Sequence, residues 1–142
     1  MIDRTFVDTN VLLYHWDTSD QRKQRRAIEW LRRLGDDRAG RVSFQVLAEF
    51  YVNATQKLRP AVPAAKAQNH VRTFFAWKPV RIDEEVLDAG WRLQERYKLS
   101  WWDGLIVAAA QRAGCRTLLS EDFQAGQRFG DLTVVDPFTT AP

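Results

Sequence analysis

The sequence has little of several features that would assign it to a particular class of protein. Its one cysteine, Cys115, excludes an internal disulfide and suits a reducing compartment. Two distant histidines and no second thiol leave it without the ligand spacing of a zinc site. The longest apolar run, residues 105–110, is far short of the ~20 residues that span a bilayer. The first residues lack the basic and apolar regions of a signal peptide, so we expect a cytoplasmic protein without a membrane partner.

The composition is that of a folded globule. Hydrophobic residues make up 45% and aromatic residues 12% of the 142 residues, which predicts one domain over residues 1–142. Short β-forming runs alternate with helical patterns, which favours an α/β fold with a parallel sheet and helices on both faces. The predicted strands are residues 2–7, 41–42, 79–82, 116–119 and 132–135, and the predicted helices begin near residues 11, 21, 44, 63, 83 and 100.

Four acidic residues stand where strands end or helices begin. Asp8 directly follows the first predicted strand, and Asp122 comes shortly after the strand that ends at Leu119. Glu49 and Asp103 lie early in predicted helices. Because sites in such sheets form beyond the carboxyl ends of the strands, all four carboxylates can converge at that edge.

Each acid also has a simpler interpretation. Asp8 can be the N-cap of the following helix, Glu49 a surface residue on a helix flank, and Asp122 an ordinary loop residue. Ser100 and Asp103 have the spacing of a capping box, in which a serine begins the helix and an acid three residues later bonds back. The joint placement of the four acids favours a shared site over these separate roles.

Four carboxylates at one edge need a counter-cation. Two like charges about 4 Å apart repel by about 4 kcal/mol at an effective dielectric of 20, so such a group takes up protons or binds a cation. Ligands that are all oxygen select hard ions, and Mg²⁺ or Mn²⁺ suits a site that keeps several waters. Because such an ion can hold a phosphate and orient a water for in-line attack, the pattern predicts metal-assisted phosphodiester hydrolysis.

Two other functions are alternatives to metal-assisted hydrolysis. A phosphatase or phosphotransferase would use a second aspartate two residues after Asp8 and a lysine after Leu119, and neither is present. A non-catalytic RNA-binding or regulatory module would use the acids as helix caps and a basic helix as its RNA contact. That helix carries arginines that can hold a phosphate backbone, namely Arg22, Arg25, Arg26, Arg32 and Arg33.

Four segments resemble the motifs of a known family. Residues 6–14 read F-V-D-T-N-V-L-L-Y, and residues 43–50 read S-F-Q-V-L-A-E-F. Residues 100–110 read S-W-W-D-G-L-I-V-A-A-A, and residues 118–123 read L-L-S-E-D-F. In order and spacing they resemble PIN-domain nucleases over nearly the whole chain. The size and the third segment resemble the VapC-type toxins of bacterial toxin–antitoxin pairs.

The resemblance implies a site of four acids in a Mg²⁺- or Mn²⁺-dependent endoribonuclease, formed by Asp8, Glu49, Asp103 and Asp122. Asp8 and Asp103 would be the principal metal ligands, and the other two would act directly or through water. The family's Asp–Phe pairing favours Asp122 over the neighbouring Glu121 as the acid of the site.

The resemblance also implies supporting residues, a fold and partners. Thr9 and Asn10 match the family's first turn, and Ser120 matches its small polar residue near the fourth acid. The implied fold is a three-layer α/β/α sandwich with a five-stranded parallel sheet. The implied partners are a structured RNA substrate, a second copy of the chain in a homodimer, and a cognate antitoxin that blocks the site.

The sequence is rich in tryptophan, with six in all. Trp101 and Trp102 lie beside Asp103, where an aromatic face can stack an RNA base. Bulky residues next to a core helix usually pack inward, which we expect for Trp102, whereas Trp101 fits either role. Trp16, Trp30 and Phe50 can form an apolar groove for an antitoxin helix, although core or dimer contacts explain them equally well.

Overall fold

The computed structural model describes residues 2–142. In chain order the elements are β1 (Thr5–Val7), α1 (Thr9–Tyr14), α2 (Gln21–Asp36), β2 (Gly40–Arg41), α3 (Phe44–Gln56), α4 (Ala64–Thr73), a short 3₁₀ helix (Phe74–Trp77), α5 (Glu84–Tyr97), α6 (Trp101–Arg112), β3 (Thr117–Leu119), β4 (Arg128–Phe129) and β5 (Leu132–Val135). Within residues 2–142, no helix has both the length and the apolar character needed to cross a membrane.

Side-chain caps fix where most of the helices begin. Each of five capping side chains accepts a hydrogen bond from a backbone N–H of the first turn, which would otherwise have no partner inside its helix. These caps are Asp8, Asp20, Ser43, Asp83 and Ser100. The caps at Ser43, Asp83 and Ser100 confirm the helix starts predicted near residues 44, 83 and 100.

The sheet has five strands in the order β2-β1-β3-β5-β4. β1 pairs in parallel with β2 and β3, and β3 pairs in parallel with β5, whereas β4 runs antiparallel to β5. The predicted α/β fold with five strands is confirmed, and the sheet is parallel except for its edge strand β4.

The fifth strand is not the one that the sequence predicts. Residues 79–82 make only an isolated bridge, between Val80 and Ser43. Pro79 has no N–H to donate, and Asp83 already caps α5, so only the residues between them can pair. The fifth strand is instead β4, which lies at the other edge of the sheet, in the stretch between the predicted strands 116–119 and 132–135.

Helix α6 runs through the core and is closely packed against α5. Its residues from Gly104 to Ala110 are all buried. A Cβ atom on Gly104 would come within 2.8 Å of the Gly90 carbonyl oxygen, so the missing side chain is what allows this approach. The contact fixes the first turn of α6, which carries Asp103. Cys115, just beyond α6, is buried, and burial raises the pKa of its thiol to about 12.

Candidate active site

Asp8 lies at the carboxyl end of β1 and is held on both carboxylate oxygens. It is only 7% exposed. Oδ1 accepts from the Thr9 N–H at 2.7 Å, and Oδ2 accepts from the Ser120 hydroxyl at 2.8 Å. Burial raises the pKa of Asp8 to about 6, and the charges of Asp122 and Glu49 act in the same direction, whereas these two hydrogen bonds oppose the shift. Asp8 is therefore an N-cap whose charged form is destabilised by its surroundings.

The side-chain amide of Asn10 links Asp8 to Asp122. Its Nδ2 lies 3.3 Å from Asp8 Oδ2, 3.1 Å from Asp122 Oδ2 and 3.2 Å from Ser120 Oγ, so one NH₂ group serves three acceptors. Its Oδ1 accepts from the Glu121 N–H at 3.3 Å. Asn10 thus joins the turn after β1 to the loop after β3, which are neighbours because these two strands pair.

The two adjacent acids of that loop contact different partners. Glu121 forms an ion pair with Lys23 of α2, in which Nζ and Oε2 are 2.6 Å apart. Asp122 instead accepts from Asn10, and its N–H donates to Ser120 Oγ at 3.1 Å. Lys23 neutralises Glu121, so Asp122 is the acid of this loop that lies beside Asp8.

Glu49 reaches the same edge from α3. The Thr9 hydroxyl donates to its Oε2 at 3.0 Å, and Gln45, one turn earlier on α3, donates to its Oε1 at 3.1 Å. The same Gln45 Nε2 lies 3.4 Å from the carbonyl oxygen of Trp102. These contacts direct the Glu49 carboxylate toward the carboxyl edge of the sheet and connect α3 to the first turn of α6.

Asp103 is half-buried in the first turn of α6. Its N–H donates to Ser100 Oγ at 3.1 Å, but within residues 2–142 the reciprocal bond of a capping box, from the Ser100 N–H to the Asp103 carboxylate, does not form. Burial raises the pKa of Asp103, the Ser100 side chain opposes the shift, and the charges of Asp122 and Glu49 raise it further. Capping alone does not account for this acid.

Glu49 and Asp122 each lie within electrostatic reach of both Asp8 and Asp103. Asp122 and Glu49 each raise the pKa of both Asp8 and Asp103. The acids come from four separate parts of the chain, namely β1, α3, α6 and the loop after β3. The structure thus places Glu49 and Asp122 near both of the predicted principal metal ligands.

A family model described as the PIN domain matches residues 5–127, which contain all four acids. The chain belongs to the PIN-domain family. Comparison with curated protein sequences gives no match.

Solved structures share the fold of this PIN domain. A toxin–antitoxin complex from Klebsiella pneumoniae has a TM-score of 0.61 at 20% identity, over 94% of this chain and 97% of that chain. VapC20 of Mycobacterium tuberculosis, a sarcin–ricin loop cleaving toxin, has a TM-score of 0.58 at 21% identity, over 80% and 86%. VapBC2 of Rickettsia felis, bound to a DNA fragment from its promoter, has a TM-score of 0.63 at 15% identity, over 92% and 96%. At these identities the likeness concerns the fold.

PIN-domain nucleases generally use divalent metal ions, and the donors at this edge fit such an ion. All four are carboxylates, the ligands that hard divalent cations prefer. A cation would also offset the burial and mutual repulsion that raise the pKa values of Asp8 and Asp103. Within residues 2–142, no group of three or more Asp, Glu, His or Cys side chains is arranged so that it could hold a metal. Binding of such an ion would therefore need these carboxylates to adopt a different arrangement.

Sequence reasoning missed two residues that support the site. Gln45 is one turn before Glu49, and this spacing was the only available signal. Its Oε1 is buried without a hydrogen-bond partner among residues 2–142. Lys23 gave no signal at all, because its partner Glu121 lies 98 positions away in the sequence.

The two tryptophans beside Asp103 have different surroundings. Trp101 is half-buried and stacks on Trp91, with ring centroids 5.3 Å apart. Trp102 is 61% exposed, so the prediction that it is buried is wrong. Consecutive helical residues point about 100° apart, and because Trp101 packs against α5 near Gly90, Trp102 is turned toward solvent.

The predicted apolar groove is not formed. Trp30 is 5% exposed and Phe50 is 0% exposed, so both belong to the core. Trp30 Nε1 donates to the carbonyl oxygen of Thr140 at 2.8 Å. Trp16 is half-buried, and its Nε1 donates to His70 Nδ1 at 2.7 Å. Core contacts, the other interpretation of these residues, account for all three.

The arginines of α2 are spread along the helix and do not gather at the acids. Near the start of α2, Lys23 contacts Glu121 beside the acidic edge. Near its end, Arg33 pairs with Asp37, whose carboxylate accepts from the Ile2 N–H before β1. The ten residues between Lys23 and Arg33 span about 15 Å at about 1.5 Å per residue. Arg32 and Arg33 therefore lie near the end of the sheet where β1 begins, away from the acids.

Proposed function

We propose that this PIN domain is a Mg²⁺- or Mn²⁺-dependent endoribonuclease that hydrolyses RNA phosphodiester bonds, acting as the toxin of a type II toxin–antitoxin system. The observation that carries the proposal is the convergence of Asp8, Glu49, Asp103 and Asp122 at one sheet edge, with raised pKa values at Asp8 and Asp103. Membership of the family supports nuclease chemistry. Residues 1–142 act as a single nuclease domain.

The four acids have distinct roles in this proposal. Asp8 and Asp103 hold the metal ion, and Glu49 and Asp122 act on it directly or through water. The bound ion supplies positive charge that offsets the negative charge on the phosphate in the transition state. An oxygen-only donor set favours Mg²⁺ or Mn²⁺ over softer ions.

The other side chains of the site position these acids. Ser120 and the Thr9 N–H orient Asp8, the Thr9 hydroxyl and Gln45 orient Glu49, and Asn10 orients Asp122. In the reaction a water oxygen bonds to phosphorus and the bond from phosphorus to a ribose oxygen breaks. The water gives up a proton, for which the carboxylates provide an acceptor, and the departing ribose oxygen gains one.

The proposed partners are a cognate antitoxin and a second copy of the chain. The K. pneumoniae structure is a toxin–antitoxin complex, and the R. felis structure is a VapBC pair on promoter DNA. In this chain, Phe44 and Val52 on α3 and Phe75 after α4 are exposed large apolar side chains, which suit protein contacts. Light scattering on the purified protein is expected to give the mass of a dimer, and a monomer at all concentrations would overturn this part of the proposal.

An RNA cleavage assay tests the activity. The protein is incubated with a mixture of structured RNAs in Mg²⁺, in Mn²⁺ and in EDTA, and the products are separated on a denaturing gel. We expect discrete fragments with either metal and intact RNA in EDTA. RNA that stays intact with both metals but binds tightly would favour the non-catalytic RNA-binding module instead.

A further inference from the structure

A strongly basic surface lies at the end of the sheet where β1 begins, opposite the acids at the carboxyl end of β1. It consists of two adjoining pockets of about 470 Å³ and 430 Å³, and Arg41 and Lys78 line both. We call the two pockets together the basic groove. Its cationic lining residues are Arg4, Arg38, Arg41, Lys78, Arg81 and Arg112, and its one acidic lining residue is Asp83.

We infer that the basic groove is a second RNA-binding site, which holds the phosphate backbone of an RNA whose scissile bond lies at the acidic edge. The inference rests on the proposed ribonuclease function and extends it. It means that the preferred substrate is an RNA long enough to contact both edges of the sheet.

The position of the groove separates it from the acids. Arg4 precedes β1, and its Nη1 donates to the carbonyl oxygen of Ala113, after α6, at 3.0 Å. Asp8 follows β1 at its other end. Four residues of strand span about 13 Å at about 3.3 Å per residue. The groove is therefore about one strand length from the catalytic edge, and an RNA at that edge reaches it only if it extends several nucleotides further.

The cations of the groove are mostly without carboxylate partners. Among residues 2–142, Arg112 is the only one of the six in an ion pair, with Asp83 at 3.5 Å and Glu85 at 2.8 Å. Arg41 donates to the carbonyl oxygens of Arg38 and Gly40, which leaves its charge uncompensated. Like charges gathered in one concave surface raise the local potential and attract a polyanion.

An aromatic ring in the groove favours nucleic acid over an acidic protein segment. Trp77 lines the larger pocket and packs so closely over Gly40 that a Cβ atom there would overlap its ring. Arg38, Arg41 and Lys78 line the same pocket. Aromatic faces among cations are typical of surfaces that bind a nucleic-acid strand, and the arginine fork matches a phosphate.

The test is RNA binding in EDTA, where no metal-dependent cleavage can interfere. The groove variant combines Arg38→Ala, Lys78→Ala and Arg81→Ala, whose side chains are exposed and hold no backbone carbonyl. The control variant combines Lys57→Ala, Lys66→Ala and Arg92→Ala, which are also exposed, lie outside the groove and remove the same formal charge. Circular dichroism and thermal melting check that both variants remain folded. If the triple groove variant does not fold, a double variant, Arg38→Gln with Lys78→Gln, replaces it.

Affinity is measured by fluorescence anisotropy over a range of salt, for a long hairpin RNA and for an oligonucleotide of about five nucleotides. We expect the groove variant to bind the hairpin at least about tenfold more weakly, with a salt slope smaller by about 2–3, because each lost phosphate contact removes about 0.7–0.9. Binding of the short oligonucleotide should not change, and the control variant should resemble the wild type.

The outcomes distinguish this inference from the proposed function. A groove variant that binds the hairpin with wild-type affinity and salt slope overturns the inference, as does a control variant that loses as much affinity. If the wild type cleaves RNA in Mg²⁺ while the groove variant binds normally, only the groove is wrong. If the groove variant loses hairpin binding while the wild type cleaves nothing in either metal, the groove stands as an RNA-binding site. The ribonuclease proposal then fails, and with it the placement of a scissile bond at the acidic edge.

Discussion

Asn10 Nδ2 lies 3.1 Å from Asp122 Oδ2, although the two residues are 112 positions apart in the sequence. The same nitrogen lies 3.3 Å from Asp8 Oδ2. A single neutral amide therefore contacts both acids, beside Ser120, whose hydroxyl donates to Asp8 Oδ2. This contact orders the loop after β3 against the turn after β1, and we expect activity to depend on it.

Replacing Asn10 with alanine removes that contact without changing the charge of the site. We expect the RNA cleavage rate to fall by about 10–100-fold and the metal concentration for half-maximal rate to rise, as is usual when a group that orients a metal ligand is lost. Asn69→Ala on the exposed face of α4 is the matched control. Wild-type rates for Asn10→Ala at every metal concentration would contradict the role of Asn10.

Glu121 and Asp122 give a direct test of which acid serves the site. Because Lys23 already holds Glu121, we expect Glu121→Gln to keep most of the cleavage activity. Asp122→Asn should lower the cleavage activity by at least about tenfold, since the substitution removes one of the four negative charges proposed to surround the divalent ion. Steady-state rates of both variants decide the assignment. A larger loss from Glu121→Gln than from Asp122→Asn would reverse it.

Trp102 is placed to stack a base of the bound RNA, because it is 61% exposed and directly precedes Asp103. We expect Trp102→Ala to raise KM for RNA by about 5–150-fold, which corresponds to about 1–3 kcal/mol per stacked base, with little effect on kcat or on Tm. Trp102→Phe should recover part of the affinity. Trp91→Ala, at an exposed tryptophan that stacks on Trp101, controls for general loss of aromatic surface. An unchanged KM for Trp102→Ala would exclude stacking.

His70 makes stability depend on pH away from the acidic site. Its Nδ1 accepts from Trp16, its ring packs against Phe50 and Phe74, and burial lowers its pKa to about 4, with the charge of His15 acting in the same direction. In the unfolded chain the pKa is about 6.5, so between pH 6.5 and 4 the unfolded state binds the proton more readily. The contribution of His70 to the free energy of unfolding should therefore fall by about 1–3 kcal/mol as pH drops through that window.

Urea denaturation at pH 7 and pH 4.5 measures this effect. We expect acidification to lower the free energy of unfolding by less in His70→Phe than in the wild type, or to raise it by more. Two other groups titrate in both proteins: the lowered pKa of His15 acts in the same direction as that of His70, whereas the raised pKa of Asp8 stabilises the folded state as pH falls. Equal pH dependence in the two proteins would show that His70 is not the group responsible.

Most of the fold follows from local features of the sequence. Ser43, Asp83 and Ser100 mark helix starts because a capping side chain acts within a few residues of itself. β4 could not be found in this way. A strand of two residues is too short to show an alternation of apolar and polar side chains. Arg128 and Phe129 form a strand only because β5 lies beside them. The segment 79–82 shows the opposite case, in which β-forming residues have too little neighbouring strand to pair with.

The acids were predictable as a group, but their surroundings were not. Strand ends and helix starts place Asp8, Glu49, Asp103 and Asp122 at one edge, and this needs only the topology of a parallel sheet. Which side chains contact the acids depends on distances across the fold, so the contacts of Gln45 and Lys23 can be found only from the structure. The exposure of Trp102 likewise depends on how α6 is rotated against α5, which its own sequence does not specify.

We propose that the carboxylates at the carboxyl edge of the sheet make this chain a metal-dependent ribonuclease. The most direct measurement is the rate of RNA cleavage in Mg²⁺ and Mn²⁺ by Asp8→Asn and Asp103→Asn, with Asp131→Asn, an exposed acid outside the site, as the matched control. Each site substitution keeps the size of the side chain and removes one charge. We predict a loss of about 10²–10³-fold for both, because metal-ion catalysis contributes several kcal/mol, and wild-type rates for Asp131→Asn. Cleavage by Asp8→Asn and Asp103→Asn at the wild-type rate would contradict the account.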